Sequence, residues 1–80
     1  MSQTILRLPA VKVQSGFSRS TIYNRISEGL FTKQVRLGLR CVGWPAEEVS
    51  RLNAARISGK SDTEIRALVA KLEAARKRAR

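Results

Sequence analysis

Pro9, Gly16, Gly29, Gly38, Pro45 and Gly59 punctuate this chain so closely that it can fold only as a set of short elements. The first runs from Pro9 to about Ser15. Proline suits a first helical turn, where its missing N–H would have no partner. Val11 and Val13 are β-branched and make this helix short and weak. Gly16 can take the positive φ that ends it. Ser18 then offers an N-cap to a second helix, from about Arg19 to Glu28, stopped by Gly29. Ile22 and Ile26 lie four apart and share its buried face. Phe17, before the cap, packs back on that face as a hydrophobic staple. Helix, glycine-containing turn and capped helix together read as a helix-turn-helix.

After Leu30 the spacing of apolar residues changes to two. Lys33-Gln34-Val35-Arg36-Leu37 alternates, and beyond Gly38-Leu39 comes Arg40-Cys41-Val42-Gly43-Trp44. Glycine at the first position of a two-residue loop predicts a type II′ hairpin turn. That turn pairs Leu37 with Arg40, Arg36 with Cys41, Val35 with Val42, and Lys33 with Trp44. Val35, Val42 and Trp44 then share a core face, Arg36 points the other way, and Arg40 sits at the tip. A hairpin alone is marginal in water, so this one must pack on the helices. A helix-turn-helix followed at once by a basic hairpin is a winged arrangement.

Pro45 opens a third helix that runs to about Ser58, with Glu47 and Glu48 near its positive end. Val49 and Leu52 face the core. Ser61-Asp62-Thr63-Glu64 reads as a capping box for a last helix starting at Asp62. Ile65, Leu68, Val69 and Leu72 form its apolar stripe. That stripe can close the core, form a dimer interface or bind a partner. Lys71, Arg76, Lys77, Arg78 and Arg80 oppose the negative end of its dipole. The basic tail after Ala75 can hold phosphates or fray; with only alanines beside its charges it lacks the bulky apolar residues of an interfacial helix, and no membrane partner is expected. The expected organisation is a winged helix-turn-helix over residues 1–59. A basic amphipathic helix over 60–80 is packed on it or used for dimerisation.

Composition narrows the chemistry. Sixteen Lys/Arg against six Asp/Glu leave +10 on 80 residues, with no histidine. Cys41 is the only cysteine, so no intramolecular disulfide can form, and a reducing compartment is the natural reading. Ordinary zinc sites and imidazole-based catalysis lack their residues. No catalytic residue, metal or cofactor is therefore expected. Cys41 has no histidine to activate it and reads as a small apolar strand residue. No apolar run approaches the roughly 20 residues that span a bilayer, and no signal peptide is expected. The expected location is cytoplasmic, nucleoid-associated when bound. A hydrophobic fraction of 42% is too high for a disordered basic tail. The charge favours polyanions, nucleic acid first and an anionic membrane surface second. Solubility alone asks for a net charge of only about 2–8.

On a wheel of the second helix with Ile22 and Ile26 inside, Ser20, Asn24 and Ser27 face out. Thr21 and Tyr23 flank them, and Arg19 and Arg25 can extend past the buried side. Short polar groups with Arg and Asn suit phosphates and base edges, and the N-terminal end points into the groove. No acid interrupts this face before Glu28. The ordinary alternative is a solvated helix, and for Ser18 the cap outweighs a DNA contact. Lys33, Arg36 and Arg40 make the hairpin basic. They suit a wing on phosphates or in the minor groove, or an edge strand protected by charge. Trp44 reads as core rather than a base-stacking platform. Residues 1–44 hold seven basic residues and one acid, so the winged half carries most of the surplus.

Ile5-Leu6-Arg7-Leu8-Pro9, Ser15-Gly16-Phe17-Ser18-Arg19-Ser20-Thr21-Ile22-Tyr23, Val35-Arg36-Leu37-Gly38 and Val42-Gly43-Trp44 with Glu48-Val49 together resemble the AlpA family of phage regulatory proteins. The resemblance covers roughly residues 5–57. It implies a winged helix-turn-helix similar to MerR and excisionase domains, with Arg19–Glu28 as recognition helix and Leu37–Arg40 as wing tip. Asn24 and Arg25 fall at positions that vary between members, and the Ser61–Arg80 helix lies beyond the match.

The fold class expected is mostly α with a small β-hairpin, a winged helix-turn-helix plus a C-terminal helix. The function expected is a sequence-specific, non-catalytic DNA-binding regulator of a phage, prophage or integrative element. Its partners would be double-stranded DNA, a second copy or cooperative array, and an integrase if the chain is instead an excisionase that bends DNA. A protein- or RNA-binding adaptor working through the last helix is the alternative from another class. The expected DNA-contacting residues are Ser18, Arg19, Ser20, Thr21, Tyr23, Asn24, Arg25, Lys33, Arg36 and Arg40.

Overall fold

The computed structural model describes residues 4–78, with side chains through Arg76. Lys77, Arg78 and Arg80 of the basic tail lie outside the described side chains. Along the described residues run β1 (Ile5–Leu6), α1 (Leu8–Ser15), α2 (Arg19–Ser27), β2 (Val35–Arg36), β3 (Val42–Pro45), α3 (Ala46–Ile57) and α4 (Asp62–Arg78). The fold is mostly α, a small winged helix-turn-helix carrying an added C-terminal helix.

The helix ends follow from local chemistry. Gly16 takes φ 76° and donates its N–H to the Lys12 carbonyl, closing α1. Ser18 Oγ accepts the Thr21 N–H at 3.2 Å and caps α2. At α4 the capping box is reciprocal. Glu64 N–H donates to Ser61 Oγ at 3.3 Å, and Ser61 N–H to Glu64 Oε1 at 3.0 Å.

The sheet corrects the expected hairpin. Its order is β1-β3-β2, so Ile5–Leu6, not anticipated as a strand, pairs with the far edge of β3. Arg36 lies opposite Val42, and Val35 opposite Gly43. This register differs by one residue from a two-residue turn. Leu37 N–H donates to the Cys41 carbonyl at 2.8 Å, leaving Gly38, Leu39 and Arg40 as a three-residue loop. Gly38 does not adopt the positive φ that a type II′ turn needs. Because side chains alternate faces, a slip of one moves each to the other side. Val35 therefore leaves the face of Val42 and Trp44, and Arg36 joins it.

Gly43 explains the outer face of the sheet. A Cβ built there would stand 2.5 Å from Ile5 Cγ2 and 3.0 Å from the Leu6 carbonyl oxygen. Only glycine lets Ile5 and Leu37 close over β3.

On the inner face Trp44 is fully buried. Its Nε1–H donates to the Thr32 carbonyl at 3.0 Å, and its ring meets Tyr23 and Phe31 edge-on, each at 6.3 Å. Val11, Ile22, Val49 and Leu52 complete this layer without exposure. Leu30, Phe31 and Thr32, which follow α2 without regular structure, are also buried.

α4 packs on α3 and contributes Ile65, Val69 and Leu72 to the core. It also ties down the segment leaving α2. Arg66 Nε donates to the Glu28 carbonyl at 2.9 Å, and Glu73 accepts the Lys33 N–H at 2.8 Å. Arg76, read above as dipole and tail charge, instead joins Glu48 of α3 to the Lys33 carbonyl. No helix among the described residues is long and apolar enough to cross a membrane.

Candidate nucleic-acid interface

Burying Ile22 turns Ser20, Asn24 and Ser27 outward, and all three are exposed. Ser18 and Arg19 at the start of α2 are exposed as well. Thr21, Tyr23 and Arg25 are half-buried on the flanks. Ser18 is occupied as a cap, and its Oγ also lies 2.9 Å from Thr21 Oγ1 and 3.4 Å from Ser20 Oγ. Ser27 Oγ donates back to the Asn24 backbone carbonyl at 2.7 Å, and among the described residues the exposed Asn24 side-chain amide has no hydrogen-bond partner.

The arginines differ. The Arg19 guanidinium lies 5.8 Å from the centre of the Tyr23 ring, at the open end of the helix. Arg25 folds back instead over Phe17, at 5.0 Å. Arg56 of α3 lies over the same ring at 4.6 Å. Burial, and after it the charge of Arg25, pull the Arg56 pKa below its ordinary value, while Asp62 opposes them.

Tyr23 touches Trp44, so the inner face of the sheet looks toward α2. Arg36, on that face and on the edge strand β2, is exposed on the α2 side of the sheet. Arg40 is exposed in the loop, beside Leu39, which is 94% exposed. Lys33 lies before β2, exposed, with its backbone held by α4. The structure thus groups the α2 residues on one helix. It sets Arg36 and Arg40 on the hairpin and anchors Lys33 separately beside α4.

Sequence reasoning passed over Arg56, because a last-turn arginine is common on any helix. Phe17 before the cap was the available signal. No group of three or more His, Cys, Asp or Glu lies together among the described residues.

A capped helix with an outward polar row, followed by a cationic hairpin, defines a winged helix-turn-helix protein. The chain belongs to the AlpA family, whose model, described as prophage CP4-57 regulatory protein (AlpA), matches residues 4–57. It is 45% identical over 58 residues to an uncharacterized protein, ORF88, of Enterobacteria phage P4, covering 72% of this chain and 66% of that protein. It is 39% identical over 51 residues to the DNA-binding transcriptional activator AlpA of Escherichia coli K12, covering 56% of this chain and 73% of that protein. The family match ends at Ile57, before α4 begins. No solved structure gives a significant match.

Proposed function

We propose that this chain is a non-catalytic, sequence-specific regulator that binds double-stranded DNA with α2 in the major groove. The observation that carries this reading is the outward row Ser20, Asn24 and Ser27 with Arg19 at its leading end and no acid before Glu28. Short hydroxyl and amide groups on a helix face reach base edges, and phosphate contacts hold the register. The net charge of +10 adds long-range attraction to a polyanion. The printed name of the Escherichia coli relative supports transcriptional control as the role.

In this reading Arg19, Ser20 and Asn24 meet the groove, with Thr21, Tyr23 and Arg25 on its walls. Ser18 acts through the cap. Arg36 and Arg40 meet the adjacent backbone or minor groove, and Lys33 a phosphate at the margin. A domain of this size gains specificity from a second copy on neighbouring DNA. An adaptor working through the last helix is disfavoured, because Ile65, Val69 and Leu72 are buried against this chain's own core.

The test is duplex binding measured against salt concentration. Binding falls steeply with salt, and Arg40→Ala lowers the log–log slope by about 1. Absence of duplex binding at low salt overturns the reading.

A further inference from the structure

Phe17 carries two guanidinium groups on one ring, Arg25 from α2 and Arg56 from α3, at 5.0 and 4.6 Å from its centre. Like charges gathered this way repel, and the part-burial of Arg56 adds a desolvation penalty. Among the described residues neither arginine forms an ion pair with a carboxylate. Arg56 Nη2 is buried with no hydrogen-bond partner. Stacking on the ring positions the two heads, and the carboxylate that favours the Arg56 charge, Asp62, is outweighed by burial and Arg25. Phe17 immediately precedes the cap Ser18, so its ring ties Arg56 to the residue that leads into the N-terminal end of α2. That is the end a helix-turn-helix directs at the groove, where backbone phosphates flank the helix.

We propose that Arg56, set on Phe17 next to Arg25, contacts a DNA backbone phosphate at the leading end of α2; this rests on the reading of α2 as recognition helix. The phosphate adds negative charge where Asp62 alone does not offset the two guanidinium groups, through charge-assisted hydrogen bonds from Arg56. The interface then extends beyond the second helix and the hairpin onto α3. The competing role is packing alone, with Arg56 as a cover over Phe17.

Two measurements separate these roles. The first is the salt dependence of duplex binding for the wild type and Arg56→Gln. The contact predicts a slope lowered by about 0.9 in the variant. The second needs no variant: the arginine Nε–H signals of the wild-type protein are followed by NMR as duplex is added. The contact predicts that the Arg56 signal shifts together with that of Arg19. An unchanged slope in folded Arg56→Gln overturns the proposal. So does an Arg56 signal that stays in place while Arg19 moves, which decides the matter if the variant fails to fold. Absence of wild-type duplex binding overturns both this contact and the reading of α2, whereas retained binding with unchanged slope overturns the contact alone.

Discussion

Arg76 reaches from α4 to Glu48 on α3, with Nε 2.8 Å from Oε2 and Nη2 2.6 Å from Oε1. Glu48 is almost fully buried, and the same guanidinium also donates to the Lys33 carbonyl at 2.7 Å. One side chain thereby joins α3, α4 and the strand-side loop that leads to the wing. Removing it strands a buried carboxylate. Arg76→Met is expected to destabilise the chain by about 3 kcal/mol, the lower end for a broken buried pair, because Arg76 keeps some exposure. Thermal unfolding reads this as a fall in Tm of more than roughly 10 °C. A fall of a degree or two would show the pair to be incidental.

Gly43→Ala tests the sheet. The added methyl meets Ile5 Cγ2 and the Leu6 carbonyl, one of them backbone. Separation of β1 from β3 should cost about 1–3 kcal/mol, as overpacking does. Denaturant unfolding measures it, and an unchanged midpoint would mean that β1 yields freely.

The α4 cap is sensitive to acid. Hydrogen bonds from the Ser61 backbone and then its side chain, and after them the Lys60 charge, hold the Glu64 pKa below its ordinary 4.5. A carboxylate depressed in the folded state stabilises above its unfolded pKa, and that contribution is lost as pH falls through the folded value. Unfolding measured from pH 7 down to below 4 should therefore lose this contribution only under acid conditions. Glu64→Gln should flatten that part of the profile. Ser61→Ala removes the hydroxyl partner at any pH and is expected to cost about 1 kcal/mol.

Helices were legible in the sequence because their signals are local. Gly16, Ser18, Pro45 and the Ser61–Glu64 box act within four residues of themselves, and the helix ends fall within a residue or so of where those groups place them. The outward row of α2 followed directly from burying Ile22. The sheet register was not legible, because it is decided at long range. Gly38 fits a two-residue turn chemically, yet β2 and β3 pair one residue out of that register, with β1 on the far edge of β3 and Ile5 and Leu37 closing over Gly43. The Glu48–Arg76 pair and the Phe17–Arg56 contact escaped for the same reason. Each joins residues far apart in the chain, and each partner alone has an ordinary local explanation.

Asn24→Ala separates recognition from folding. The side chain is exposed on α2 and makes no hydrogen bond among the described residues, so stability should change by less than about 0.5 kcal/mol. Affinity for the specific site should fall by about 1–3 kcal/mol, with preference relaxed at one base pair and the salt slope unchanged. Loss of affinity equal on all sequences would make Asn24 a backbone contact instead.

The most direct measurement of the central claim is a footprint of the wild-type protein and Asn24→Ala on the DNA flanking the gene itself. A discrete protected tract is expected with the wild type, lost or broadened with the variant at equal concentration. No protected tract, or the same tract protected equally by both proteins, would contradict that claim.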